Sequence, residues 1–200
     1  MKLSMPSRAL VAIAAALLLL LFVTPLWRIS LQAPQYPEGL GLKIELTTVT
    51  GVEENDLQNI NSLNHYIGMK AIDPATIGVL RVMPWAVAGL ALFGFVVAAV
   101  GRRALLYAWM TSFVVFGVAG MVMFWWWQYD YGHHLDMEHA IIKIPGMSYQ
   151  PPLIGVKQLL NFRATSMPDV GGWLVAVAFV LGAVAVFRTV RCHARASALG

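Results

Sequence analysis

Cysteine is nearly absent: Cys192 is the only one in 200 residues. No disulfide can close within the chain, and no cysteine-based zinc or iron–sulfur site can be built from it alone. The CxxCH pattern of covalent haem attachment is also missing. Charge is scarce, at 12% of residues, about half of what a soluble domain carries. No histidine or charged residue lies deep in any long apolar run. Ion pathways, proton relays and bundle-embedded haem b need such intramembrane groups, so these functions fall away for this chain alone. There is no HExxH, no phosphate-binding glycine loop, no acidic spacing of an EF-hand and no recognisable Ser/His/Asp arrangement. No nucleic-acid-binding segment is present, and an enzyme with a metal site of its own stays a third reading, with no acid/base set evident beyond its candidate metal ligands.

Long apolar runs are what the chain has. Hydrophobic residues make up 58% of it and the mean hydropathy is +0.67. Four runs, about 9-27, 82-100, 104-127 and 171-187, approach the ~20 residues that cross a ~30 Å hydrocarbon layer as a helix. The first follows Lys2 and Arg8. It reads as a retained anchor, because the best cleavage candidate, Leu31-Gln32-Ala33, lacks a small residue at its first position and is followed by Pro34. The expectation is a membrane all-α protein, a four-transmembrane-helix bundle forming a single domain over 1-200. Long loops at 28-81 and 128-170 would fold together as a small cap.

Charge sets the orientation. Lys2, Arg8, Arg102, Arg103, Arg188, Arg191 and Arg195 lie in the N-terminal segment, the middle turn and the tail, and the positive-inside rule places all three in the cytoplasm. All ten acidic residues fall in the two loops, which are then periplasmic. Trp27, Trp85, Trp125–Trp127 and Trp173 sit at the outer ends of the runs, where indoles favour the headgroup level, and Tyr107 and Trp109 lie near the inner boundary. The chain is thus expected in the bacterial inner membrane, multi-pass, with both termini cytoplasmic.

Local patterns fill in the loops. Leu42–Val49 alternates apolar with polar, β-branched residues and predicts a short strand. Glu53–Tyr66 predicts an amphipathic helix with Leu57, Ile60 and Leu63 on one stripe. Asp73 or Thr76 is placed to cap a short helix at Pro74. Val156–Phe162 predicts another short helix. Pro145, Pro151 and Pro152 make Ile144–Gly155 extended or turning. That segment is either a binding surface or a cover packed on the bundle.

Function points to histidine and methionine. His65 and Met69 would share a face if helical, and otherwise form a local packing motif. His133, His134, Met137 and His139 follow the third run, and Met147 could join them only through a turn at Pro145-Gly146. Imidazole suits copper and zinc, and thioether suits Cu(I), so these seven residues are candidate copper ligands. Asp130, Asp136 and Glu138 could orient the imidazoles or be ordinary solvated charges. On the bland reading the histidines are interfacial or surface groups and the methionines packing.

The segments YPEGL (36–40), DLQNINSLNHYIGMK (56–70), DYGHHLD (130–136), IPGMSYQPPLIG (144–155) and KQLLNF (157–162) resemble a family of small bacterial four-span inner-membrane proteins. The family is associated with copper handling, in particular maturation of periplasmic copper enzymes of the nitrous oxide reductase type. The resemblance implies a copper context, carries no catalytic residue, and leaves the ligand assignment on the His/Met pattern. Two functions are expected from this: a non-enzymatic accessory protein that binds or delivers copper to a membrane or periplasmic partner, or a structural subunit of a larger respiratory or copper-dependent complex.

Overall fold

The computed structural model describes residues 2–144, 146–159 and 161–197. Four of its helices are long and apolar enough to cross a membrane. They are α1 (Met5–Leu19), extended by a 3-10 turn at Leu20–Phe22, α3 (Val79–Val100), α4 (Arg103–His133) and α5 (Val170–Ser197); a shorter helix, α2, is Asp56–Tyr66. Sequence sets their ends. The Ser4 side chain accepts from the Ser7 amide at the start of α1, with a proline in the first turn, and Gly101 closes α3 with φ of 69°. Arg8 then donates to the carbonyls of Ala98 and Ala99 at 2.6 and 2.7 Å, a cation on the last carbonyls of α3. At 31 residues, α4 is about 46 Å long, so its last turns project beyond the apolar run.

α1 packs against α3 and α5, and α4 closes the bundle against the same two helices. Small residues let the backbones approach. A Cβ on Gly94 would fall 2.8 Å from that of Ala15, and one on Gly182 would meet Met110 and Trp109 at 2.9 Å each. Trp109 is fully buried between them and donates its indole N–H to the Leu90 carbonyl at 2.9 Å. It therefore packs in the bundle core. Val82, Trp85, Leu92, Val115, Val118 and Val122 point outwards and are exposed.

The expected all-α architecture is corrected by a five-stranded antiparallel sheet, which makes the fold mixed α/β. Its strands are β1 (Trp27–Ala33), β2 (Tyr36–Ile44), β3 (Val49–Gly51), β4 (Gly155–Leu159) and β5 (Phe162–Pro168), in the order β3-β2-β1-β5-β4. The segment between α1 and α3 supplies the three-stranded meander β1–β2–β3, and the segment between α4 and α5 supplies the β4–β5 hairpin. The seam between them is β1–β5, in register at Ile29↔Ser166 and Leu31↔Ala164. Three local expectations change with it. The first apolar run ends as a helix by Phe22, and Trp27 opens β1. The strand expected over 42–49 is the end of β2, a turn closed by the Glu45 amide on the Thr48 carbonyl at 2.9 Å, and then β3. The helix expected over 156–162 is the β4–β5 hairpin, because pairing with β5 satisfies a backbone too short to hold a stable isolated helix. Leu160 lies outside the described residues.

One face of the sheet packs on α2 and on the projecting end of α4. Ile29, Leu40, Leu42, Val49, Ile60, Ile72 and Tyr131 form this second core. Buried Asp56 pins α2 to β2 by accepting from the amides of Gly41 and Glu53 at 2.9 and 3.1 Å. Asp73 caps the short turn at Pro74–Thr76 through the Ala75 amide, as expected. Part of the 144–155 segment packs on the projecting end of α4. Tyr149 is buried, its amide donates to the Gly132 carbonyl at 3.0 Å, and Gln150 lies where a side chain on Gly132 would be.

Candidate functional site

α2 ends in a Schellman motif. The Met69 amide donates to the Asn64 carbonyl at 2.8 Å and the Gly68 amide to the His65 carbonyl at 3.4 Å, with Gly68 at φ of 75°. Met69 is thus outside the helix, and the expected helical pairing of His65 with Met69 does not form. The reversal still brings both residues to one surface.

The second half of the site is the end of α4 and the turn after it. His133 is the last residue of α4 and His134 follows it. Asp136 then folds the chain into a turn, its Oδ1 accepting from the amides of Glu138 and His139 at 3.1 and 3.2 Å. This turn docks on the end of α2. The Asp136 amide donates to the Gly68 carbonyl at 2.7 Å, and the amides of Ile141 and Ile142 both donate to the Tyr66 carbonyl. A Cβ on Gly68 would stand 2.6 Å from the Asp136 carbonyl oxygen, so only glycine allows the approach.

The junction leaves an open cleft of about 600 Å³ lined by His65, Met69, Lys70, His133, His134 and His139, among others. Four of the five histidines of the chain therefore face one space. Met137 and Met147, also candidate ligands, are half-buried in the turn and in the proline-containing segment, outside the cleft lining. Pro145, through whose turn Met147 was to join, lies outside the described residues.

Three of the imidazoles are oriented in the same way. His133 Nδ1 is 3.0 Å from the Tyr129 carbonyl, His134 Nδ1 is 2.7 Å from Asp130 and His139 Nδ1 is 2.8 Å from Asp136. A carbonyl or an ionised carboxylate can only accept, so each Nδ1 carries the proton and each neutral ring keeps its lone pair on Nε2. Metal-binding histidines commonly have this arrangement, with one nitrogen fixed by an oxygen and the other free to ligate. Two of the acids that pattern reading left ambiguous, Asp130 and Asp136, thus act on imidazoles. The hydrogen bond from the His139 side chain, joined by the His139 amide, holds the Asp136 carboxyl below the ordinary aspartate value.

Lys70 was not among the expected site residues, although its place next to Met69 was a signal. It adds a positive charge to the cleft, and Asp130 neutralises it at 3.0 Å. Asp130 therefore binds Lys70 with one oxygen and His134 with the other. The imidazoles of His134 and His139 are well exposed, at 65% and 76%. Among the described residues, no three of the His, Cys, Asp and Glu side chains stand close enough to hold one ion. The cleft thus offers imidazole nitrogens and one thioether on a fixed frame, without preassembling them on a point. Comparison with protein-family models and with curated proteins gives no match.

Proposed function

We propose that this chain is an integral protein of the bacterial inner membrane that holds copper transiently in its His/Met cleft and passes it to a partner outside the cytoplasmic face. The four long helices support the membrane part: their outward faces are apolar, and only 17–33% of each span is buried within the chain. The orientation rests on basic residues. The Leu3 amide bonds the Gly101 carbonyl and Arg8 reaches Ala98 and Ala99, so the N-terminal and middle basic segments share the end of the bundle away from the sheet. The positive-inside rule then puts the sheet and the cleft in the periplasm and both termini in the cytoplasm.

One observation carries the copper reading. His65 and Met69 from one segment and His133, His134 and His139 from another line the same cleft, three of the imidazoles with Nε2 free. Imidazole with thioether favours copper over harder ions. Exposed, unassembled donors suit an ion that must leave again. The test is elemental analysis of the detergent-purified chain after loading with Cu(I) or Cu(II). About one copper per chain is expected, falling below a tenth of that in the His65→Ala/His139→Ala double variant. Undiminished stoichiometry in that variant would sink the two-segment site.

A second reading is an accessory subunit of a larger copper-dependent or respiratory complex. It is favoured by the lack of three grouped donors among the described residues, which a partner's ligand could complete. Copurification with an enzyme at fixed stoichiometry, with no copper on the isolated chain, would select it.

A further inference from the structure

A second pocket, of about 90 Å³, lies between the sheet, α2 and the end of α4. Its wall is mostly apolar, from residues such as Ile29, Ile60 and Leu159. Among the described residues, three side chains in that wall carry polar atoms without a partner, one of them the indole N–H of Trp127. Gln128 is 1% exposed, and neither its Nε2 nor its Oε1 makes a hydrogen bond; the hydroxyl of buried Tyr149 makes none either. Polar groups taken out of water normally find partners, and an unpaired buried amide is costly. Gln128 also stands directly after Trp125-Trp126-Trp127, where the apolar run of α4 ends.

We propose that this pocket binds a lipophilic molecule with a carbonyl-bearing head, a quinone ring or an acyl ester drawn from the bilayer. The two N–H bonds of Gln128 and the O–H of Tyr149 are three donors against one unpaired acceptor, the Gln128 Oε1, so the set favours a head rich in acceptors, such as a carbonyl. The apolar wall calls for a ring or chain around it. At about 90 Å³ the pocket is well below the ~150 Å³ of a dry apolar cavity that takes up benzene, so it holds the carbonyl head and the adjoining edge of a ring or start of a chain, with the rest of the molecule outside. Met69 also lines the pocket, so it forms a wall common to this site and to the histidine cleft. Supply from the bilayer rests on the membrane reading above, whereas binding itself does not and is measured in detergent.

The probe is a short-tailed benzoquinone, titrated into the full-length chain while tryptophan fluorescence is followed; Trp127 in the pocket wall is the reporter. Saturable quenching is expected, lost in Trp127→Phe. It should weaken by about tenfold in Gln128→Leu and in Tyr149→Phe, the effect of one lost hydrogen bond. Tyr149→Phe removes a single oxygen, and its thermal midpoint serves as the folding control. Competition separates the two sources. Displacement by a medium-chain methyl ester assigns the site to any acyl carbonyl, and resistance to the ester assigns it to the quinone ring. Quenching that only rises linearly with quinone overturns the proposal. So does saturable quenching of equal strength in both variants, or displacement by an alkane as effective as that by the ester; these results leave the pocket to water or to nonspecific partition.

Discussion

Gly68→Ala should open the junction between α2 and the turn after α4 without disturbing the helix bundle. A non-glycine residue at φ of 75° costs about 1 kcal/mol or somewhat more. The new Cβ would stand 2.6 Å from the Asp136 carbonyl oxygen and 3.1 Å from the Ala140 Cβ, so the turn must move. It is held there by three amides: Asp136 on the Gly68 carbonyl at 2.7 Å, and Ile141 and Ile142 on the Tyr66 carbonyl at 3.1 and 2.9 Å. Each such bond contributes about 1 kcal/mol net. Losing one to three of them along with the backbone cost gives about 2–4 kcal/mol. Amide hydrogen exchange reads this directly: Asp136, Ile141 and Ile142 should exchange roughly 30- to 1000-fold faster, at about 1.4 kcal/mol per decade. Gly146→Ala is the control. Gly146 has the same φ of 75°, but a Cβ there meets no described residue within 4 Å, so it carries the backbone cost alone. If Gly68→Ala leaves those three amides within threefold of their original rates, close approach at Gly68 does not hold the junction.

Three further outcomes follow from buried or paired groups. Asp56→Ala leaves the Gly41 and Glu53 amides without their acceptor and should lower stability by about 2–4 kcal/mol in a denaturant titration, whereas Asp56→Asn keeps an acceptor oxygen and should cost less; equal effects would refute the pinning role. Trp109→Ala should cost about 3–5 kcal/mol through the cavity it leaves between α3, α4 and α5, and a change below 1 kcal/mol would contradict its place in the core. The Asp136 carboxyl titrates below the ordinary 3.8 because His139 donates to it. The stabilisation that this adds is therefore present above that value and fades as pH falls through the lowered one. Carboxyl NMR should show the Asp136 titration moving up towards 3.8 in His139→Ala, and an unmoved titration would refute the pairing.

The long helices were legible because a run of about 20 apolar residues has few other uses. Val82–Val100 was expected and Val79–Val100 is found. The ends were legible only where a chemical signal marks them. Gly101 is such a signal. Pro25 is a second such signal that the expected run to Trp27 passed over: a proline disfavours helix in the residue before it, and the strand begins just beyond. Trp109 shows a further limit, since its ring is as apolar in a core as at an interface, and only its neighbours Gly94 and Gly182 make a space for it. The sheet was mostly hidden. Its seam pairs Trp27 with Pro168 and Gln32 with Arg163, residues more than 130 positions apart, and nothing local encodes that register.

The candidate cleft stands between these cases. Histidine and methionine types named most of its lining, yet what brings them together is backbone: the Gly68 and Tyr66 carbonyls, the Asp136, Ile141 and Ile142 amides, and a glycine without a Cβ. Such groups leave no composition signal. This division has a functional consequence under the proposed role. Asp56 and the Gly68 junction fix where the donors are carried, while the rings of His134 and His139 stay exposed and are tethered only at Nδ1. A fixed frame keeps the donors within reach of one another, and exposed rings, each held by hydrogen bonding at Nδ1 alone, let an ion be gripped and released at Nε2 without unfolding either segment. Loosening the frame through Gly68→Ala should therefore weaken copper retention as much as removing a single imidazole does, although Gly68 itself supplies no ligand. Copper retention in Gly68→Ala equal to that of the unaltered chain would separate the cleft from metal binding, and the structural-subunit reading would then be the stronger one.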